Sequence, residues 1–238
     1  MDYFFVGSES IAENHLVIKG EEYRHLSRVL RKKAGDHVMV TDGKGRMHEA
    51  IIRSLDRTSA ECAILHTFVG LNEPKINVTL AISPLKNPAR LDFVVEKATE
   101  LGVTTIIPLV CERTIRKHEN HLRLQKLTIA AMKQCGRCVL PTIFVSTRFE
   151  TLAANASQYQ LRLIPHERTE QSQFIGSVMK HHSEAKSALI LIGPEGGFAE
   201  EEMKLAADHG FVAISLGPRR LRSETAALSA LSWVVGGW

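Results

Sequence analysis

The chain has 238 residues, of which 44% are hydrophobic and 24% charged, and its formal net charge is +4. That length holds one or two domains, and the balance is that of a soluble globular protein. No apolar run reaches the roughly 18 residues of a membrane helix, and the opening MDYFFVGSES lacks a basic stretch followed by an apolar one. A cytoplasmic protein without a leader or membrane segment is therefore expected. Four cysteines in a chain this long do not make a disulfide framework.

Taken in order, the first part reads as short strands broken by turn signals: YFFV, HLVIKG, HVMVTDGKGRMHEAIIR and ECAILHTFV. The DGKG at 42–45 lies between two alternating runs and predicts a hairpin. One helix fits EEYRHLSRVLRKK, where Tyr23, Leu26, Val29 and Leu30 share a face. This predicts a small β-barrel with one helix over residues 1–70, and VGLNEPK (69–75) supplies the breakers of a linker.

From residue 74 the rhythm changes to strand, helix, strand. INVTLAIS, TTIIPLV, TIFV, QLRLIP, ALILIG and FVAISLG read as strands. PARLDFVVEKATELG, HLRLQKLTIAAMKQCG, MKLAADHG and SETAALSALSWVV read as helices. Alternation of this kind predicts an α/β domain over 74–238 with a mostly parallel sheet. Ligands of such sheets sit beyond the carboxyl ends of the strands, which directs attention to the turns after Pro165, Ile192 and Leu216.

The turn after ALILI is GPEGGFAEEE. It is neither a P-loop, which needs a lysine, nor the GxGxxG of a dinucleotide site. Glu195 and Glu200–Glu202 complement a helix N-terminus but would repel a phosphate seeking it. A neutral or cationic ligand approached by bare backbone, such as S-adenosylmethionine, suits the turn. A tight connection with acids placed only for the helix dipole is the alternative. Downstream, Arg219, Arg220 and Arg222 follow Gly217–Pro218, and Ser223 is positioned to cap the last helix. These arginines point to a phosphodiester beside the cofactor, or else to simple pairing with Glu195, Glu200–Glu202 and Glu224.

Charge is uneven along the chain. Residues 111–148 carry eight Lys/Arg against two Glu, a segment charge of +6. Arg24, Arg28, Arg31, Lys32 and Lys33 form a second cluster. Solvated helix faces or contact with a polyanion would each account for them. Cys135–Cys138 has CxxC spacing without a second pair, and the eleven histidines lack ligand spacing, so no metal is expected.

LIGPEGGFAEEE and LGPRRLRSETAAL, in this order and at the C-terminal end, resemble the RsmE family of SPOUT-class methyltransferases. HLSRVLRKKAGDHVMVTDGKG is similar to the family's N-terminal PUA-like domain, and LKNPARLDFVVEKATELGVTTIIPLVCERT and QCGR to its middle motifs. Arg220 stands where members often have an aliphatic residue, and Cys135 where serine is usual. The resemblance implies methylation of N3 of a uridine in the decoding region of 16S rRNA with S-adenosyl-L-methionine. It also implies a homodimer acting on the small ribosomal subunit, and a trefoil knot in the C-terminal domain. By motif, the cofactor positions are Leu163, Ile164, Pro165, Ile192, Gly193, Glu195, Gly196, Gly197, Leu216, Gly217, Leu221, Arg222, Glu224, Thr225 and Ala226.

The chemistry can be argued from the residues as well. Uracil N3 carries a proton and is weakly nucleophilic, and a guanidinium beside it would stabilise the developing anion. Arg222 and Arg113 are candidates for that role, with Glu224 as candidate base. Arg24, Arg28, Arg31, Lys32, Arg116, Arg219 and Arg220 are candidates for RNA contact. A non-catalytic RNA-binding or ribosome-assembly protein of the same two-domain shape is the alternative reading. A phosphate-cofactor α/β enzyme is the third, with the acidic turn against it.

Overall fold

A computed structural model describes residues 2–115, 119–167, 169 and 173–236. The chain forms two compact units, and the division is not a single cut. Met1–Glu73 and Ile129–Leu140 make the first unit, and Pro74–Thr128 with Pro141–Trp238 the second. A segment of twelve residues, 129–140, thus joins the first unit out of sequence order.

The first unit is built on β1 (Tyr3–Phe5), β2 (His15–Lys19), β3 (His37–Thr41), β4 (Arg46–Leu55) and β5 (Ser59–Val69), with sheet order β1-β3-β4-β5-β2. β1 runs parallel to β3, and the other pairs are antiparallel. The sheet is curled: Phe4 from one edge and Leu16 and Ile18 from the other share a core with Val38, Val40, Ala50 and Ile52. The β3–β4 hairpin forms at the predicted DGKG. Asp42 Oδ1 accepts from Lys44 N (2.7 Å) and Arg46 N (3.1 Å), and Gly43 and Gly45 take left-handed φ of 69° and 98°.

The predicted helix departs from expectation. After α1 (Gly20–Arg24) the backbone widens into a π-helical turn over His25–Val29, with Leu30 N bonding back to His25 O. Five-residue closure rotates the faces out of the 3.6-residue register. Leu26 stays buried, whereas Val29, assigned to the same face, is 65% exposed.

The second unit carries a wholly parallel sheet. Its strands are β6 (Asn77–Ile82), β7 (Thr105–Val110), β8 (Thr142–Ile143), β9 (Thr147–Arg148), β10 (Leu161–Pro165), β11 (Ser187–Ile192) and β12 (Val212–Ile214). The order is β12-β10-β11-β6-β7-β8, with β9 also on β7. β6 and β11 read as nearly continuous apolar runs because both of their faces are buried.

The helices are α2 (Pro88–Leu101), α3 (His121–Cys135), α4 (Phe149–Ala154), α5 (Ile175–His181), α6 (Glu200–Asp208) and α7 (Ser223–Val235). α2 begins with Asn87 accepting from Ala89 N (3.0 Å) and Pro88 in the first turn, and ends at Gly102 with φ 109°. Its Leu91, Val94, Val95 and Ala98 meet Ala227, Ala230, Leu231 and Val234 of α7 in the core over β6 and β11. The small residues of α7 allow that close approach. α4 and α5 were not predicted, and α6 starts three residues before the expected Met203.

Three of the eight basic residues of segment 111–148 are paired with acids among the described residues. Arg137 is buried, and its Nε and Nη2 donate to Glu73 Oε2 at 3.0 and 2.6 Å. Glu73 Oε1 accepts from the backbone of Cys138 and Val139. Lys133 pairs with Glu22, and Arg123 with Asp92. Arg116 and Lys117 lie outside the described residues. Burial pushes the Cys62 and Cys138 thiols up to about 11 and Cys111 higher still, which disfavours their thiolates at neutral pH. Cys138 Sγ donates to Leu71 O at 3.3 Å.

Candidate active site

β10 lies between β11 and β12, so the chain segments leaving these three strands emerge side by side. They enclose a cavity of about 690 Å³, within the range of small-molecule sites (roughly 300–1,000 Å³).

The turn after β11 is shaped by its glycines and held by neighbours. A Cβ on Gly193 would come within 3.2 Å of the Phe198 ring, and Gly197 holds φ 71°. Glu195 Oε1 accepts from Lys86 N (3.0 Å), and Arg113 Nη1 donates to Gly196 O (2.9 Å). The triple glutamate divides by role. Glu202 is buried and accepts from Glu112 N and Ala199 N, both at 2.8 Å, so it fastens the start of α6. Glu200 lines the cavity and Glu201 is exposed.

The opposite wall follows β12. Gly217 holds φ 106°, and Arg222 is the extended residue just before α7. Ser223 does not cap α7 as expected. It is the first helical residue, and its hydroxyl donates to Gly193 O at 3.0 Å, which ties the two walls together. Glu224 Oε1 stands 3.7 Å from Arg90 Nε. Its Oε2 is buried with no partner among the described residues. Arg220 pairs with Glu167 at 3.2 Å, at the exposed mouth, rather than with the acids of the glycine turn. Arg219 and Arg222 form no ion pair among the described residues.

Of the expected cofactor positions, Pro165, Ile192, Gly193, Glu195, Gly196, Gly197, Leu216, Gly217, Leu221, Arg222, Glu224 and Ala226 line this cavity. Arg113 does too, and so do Arg219 and Arg220. Leu163 and Ile164 do not: their side chains alternate into the two cores on either side of the sheet. Thr225 is exposed on α7 away from the lining. Arg90, His166, Phe198 and Met203 were missed. Arg90 comes from α2, and no local motif marks it. Arg24, Arg28 and Arg31 are exposed on the first unit, whereas Lys32 is held by Asp2 at 2.8 Å, which keeps that carboxyl below its usual range.

The lining suits a ligand with mixed charge. Among the described residues it has five arginines and four glutamates over apolar walls of Ile192, Leu216, Met203 and Phe198. The orphaned Glu224 oxygen asks for a donor. Sulfonium, ammonium and carboxylate groups each find a counterpart here, so these residues fit S-adenosylmethionine. No three His, Cys, Asp or Glu among the described residues come together as a metal set.

Two family profiles match, an RNA methyltransferase domain over residues 72–235 and an RNA methyltransferase PUA domain over 18–65. Ribosomal RNA small subunit methyltransferase E of Synechocystis sp. is 32% identical over 231 residues, covering 96% of this chain and 75% of that one. The chain belongs to the ribosomal RNA small subunit methyltransferase E family. The Bacillus subtilis member is 28% identical, with 90% of this chain and 87% of that one covered. A crystal structure of the Neisseria gonorrhoeae member bound to S-adenosyl methionine superposes with a TM-score of 0.86 at 31% identity, covering 98% of this chain and 95% of that one. A putative methyltransferase from Legionella pneumophila, in complex with the same cofactor, gives 0.81 at 28% identity, with 98% and 96% covered. Within this family the present chain keeps both the PUA and the methyltransferase parts.

Proposed function

We propose that this chain methylates N3 of a uridine in the decoding region of 16S rRNA, within the small ribosomal subunit, using S-adenosylmethionine. Family membership supports the coarser reading, an S-adenosylmethionine-dependent rRNA methyltransferase. The observation that carries the finer one is the meeting of Arg222, Glu224 and the glycine turn in one cavity of mixed charge.

S-adenosylmethionine supplies an electrophilic methyl group on a cationic sulfur. The residues that would hold it are the backbone of Ile192–Gly197 and Leu216–Leu221, with Ala226 closing the wall. Arg222, free of ion pairs among the described residues, stabilises the anion that develops on uracil when N3 loses its proton. Glu224, whose Oε2 is buried with no partner among the described residues, accepts the N3 proton in this reading. Arg113 works differently from Arg222 in this reading: one of its five N–H groups holds Gly196 O, so it positions the turn. N3 lies on the Watson–Crick edge, and the base must enter unpaired or extruded.

The RNA is held, in this reading, by Arg24, Arg28 and Arg31 of a PUA-like domain (1–70) and by Arg219 and Arg220 at the mouth of the methyltransferase domain (74–238). The reading includes a cytoplasmic homodimer and a trefoil knot, the latter supported by the return of α7 over β6 and β11 after β12 has reached the sheet edge. The test is incubation with labelled S-adenosylmethionine and small subunits, followed by nucleoside analysis. Labelled 3-methyluridine is expected. RNA binding without release of S-adenosylhomocysteine would replace the enzyme with a binding protein.

A further inference from the structure

The first unit contains a second cavity, of about 300 Å³, that the reading above does not use. It is lined by Ser8, Ile11, Asp42, Lys44, Arg46 and His48, all within the first unit. Two buried polar atoms there have no partner among the described residues, Ser8 Oγ and His48 Nε2. The His48 side chain is 4% exposed, and its other ring nitrogen is engaged with Thr67 Oγ1 at 2.9 Å across the β4–β5 ladder. An unsatisfied group of this kind is unfavourable in the folded chain alone, and it calls for a ligand that completes it.

The rim is basic and firmly built. Lys44 and Arg46 are exposed and form no ion pair among the described residues. Asp42 Oδ1 is bonded to their backbone N–H groups and fixes the turn, and its carboxylate offsets one of the two cations, so the rim keeps a net charge of about +1. The hairpin is held from behind by Gly45 N to Cys138 O and Leu140 N to Gly43 O, both 2.9 Å. The cavity therefore offers two cations and one carboxylate, Ile11 as an apolar wall, and two buried hydrogen-bonding groups.

We infer that this cavity takes one nucleotide of the RNA strand, with its phosphate between Lys44 and Arg46 and its ribose or base edge on His48 Nε2 and Ser8 Oγ. The size fits a single nucleotide, and phosphate neutralisation with a polar floor is how such sites combine affinity and selectivity. The inference deepens the rRNA reading and rests on it. It adds a contact on the β3–β4 hairpin that neither the α1 cluster nor the cofactor cavity supplies.

The test is fluorescence anisotropy of a labelled decoding-region RNA fragment with the full-length protein. The Lys44→Ala/Arg46→Ala variant, whose altered side chains are exposed, should bind about tenfold more weakly, with a salt slope lower by roughly 0.7–0.9 for each lost contact. Ser8→Ala should lose a few-fold in affinity while keeping or raising stability, because it removes an orphaned hydroxyl. S-adenosylmethionine affinity should not change in either. If the unaltered protein binds RNA and both variants bind it equally, the nucleotide pocket is wrong and the rRNA reading survives. If the unaltered protein binds the cofactor but no RNA, the rRNA reading falls and takes the pocket with it. Inorganic phosphate shifting the His48 ring resonances as far as RNA does would make this a free-anion site and overturn the proposal.

Discussion

The hydroxyl of Ser223 donates to the carbonyl of Gly193 across 3.0 Å, joining the first turn of the last helix to the glycine turn thirty residues earlier. The bond closes the two walls of the active-site cavity on each other. Ser223→Ala should therefore loosen the walls without unfolding the chain. One such bond is worth about 1 kcal/mol, so cofactor affinity should fall roughly fivefold in calorimetry. Equal affinity in the variant would show that the walls are held by packing alone.

Arg222 and Arg113 line the same cavity but should fail in opposite ways. Arg222→Ala is expected to lower kcat by about 10²–10³, the range for one preorganised donor, with little change in either ligand's affinity. Arg222→Lys should recover only part, since an ammonium lacks the planar fork. Turnover intact at saturation would make Arg222 a binding element.

For Arg113→Ala the expected loss is in cofactor binding. The guanidinium bonds to Gly196 O and supports the turn, so KM for S-adenosylmethionine should rise several-fold while kcat at saturation stays near the original. A fall in kcat with KM unchanged would return Arg113 to the role first assigned to it.

Arg137 belongs to the basic segment 111–148, and its burial against Glu73 makes it a stability residue. Removing it strands the Glu73 carboxylate in the interior. Arg137→Ala should cost about 3–5 kcal/mol in denaturant unfolding, with Arg137→Lys recovering some of the charge but not the two-point geometry. A variant of undiminished stability would refute this account of the pair.

Burial holds the His48 imidazole below its ordinary value, with Asp42 opposing the shift and Arg46 adding to it. Between the folded and unfolded pKa values the unfolded chain binds more protons, so stability rises with pH in that window. The contribution is complete above about 6.5 and is lost as pH falls through the folded value. Urea midpoints should drop between pH 7.5 and 5, and less steeply in His48→Gln. Asp2, held low by Lys32, acts only at more acid pH, below about 4. Parallel curves for the two proteins would remove His48 from the explanation.

Much of this was legible in the sequence because it is carried by local pattern. The continuous apolar runs of β6 and β11, the Asp-Gly hairpin and the Asn87–Pro88 helix start each follow from side-chain type. The glycine turn and the arginine turn were both found, and the parallel sheet brings them together. Relationships across the fold were not legible. Arg90 reaches Glu224 only because α2 packs on α7, and nothing near either residue signals it. The π-helical turn was missed for another reason: widening changes which residues share a face without changing the residues. Leu163 and Ile164 were assigned to the site as a strand end, but alternation sends both side chains into the cores and leaves Pro165 at the rim.

The segment Ile129–Leu140 lies late in the chain yet belongs to the first unit, and this sets an order of events during synthesis. Glu73 meets Arg137 across 64 residues, so the first unit cannot complete its buried ion pair when its own strands have emerged. At about 5–20 residues per second the ribosome adds those residues in roughly 3–13 s. During that interval the nascent chain holds an unpaired carboxylate while β6, α2 and β7 are already emerging. The first unit therefore completes its buried ion pair only after β6, α2 and β7 of the second have been synthesised.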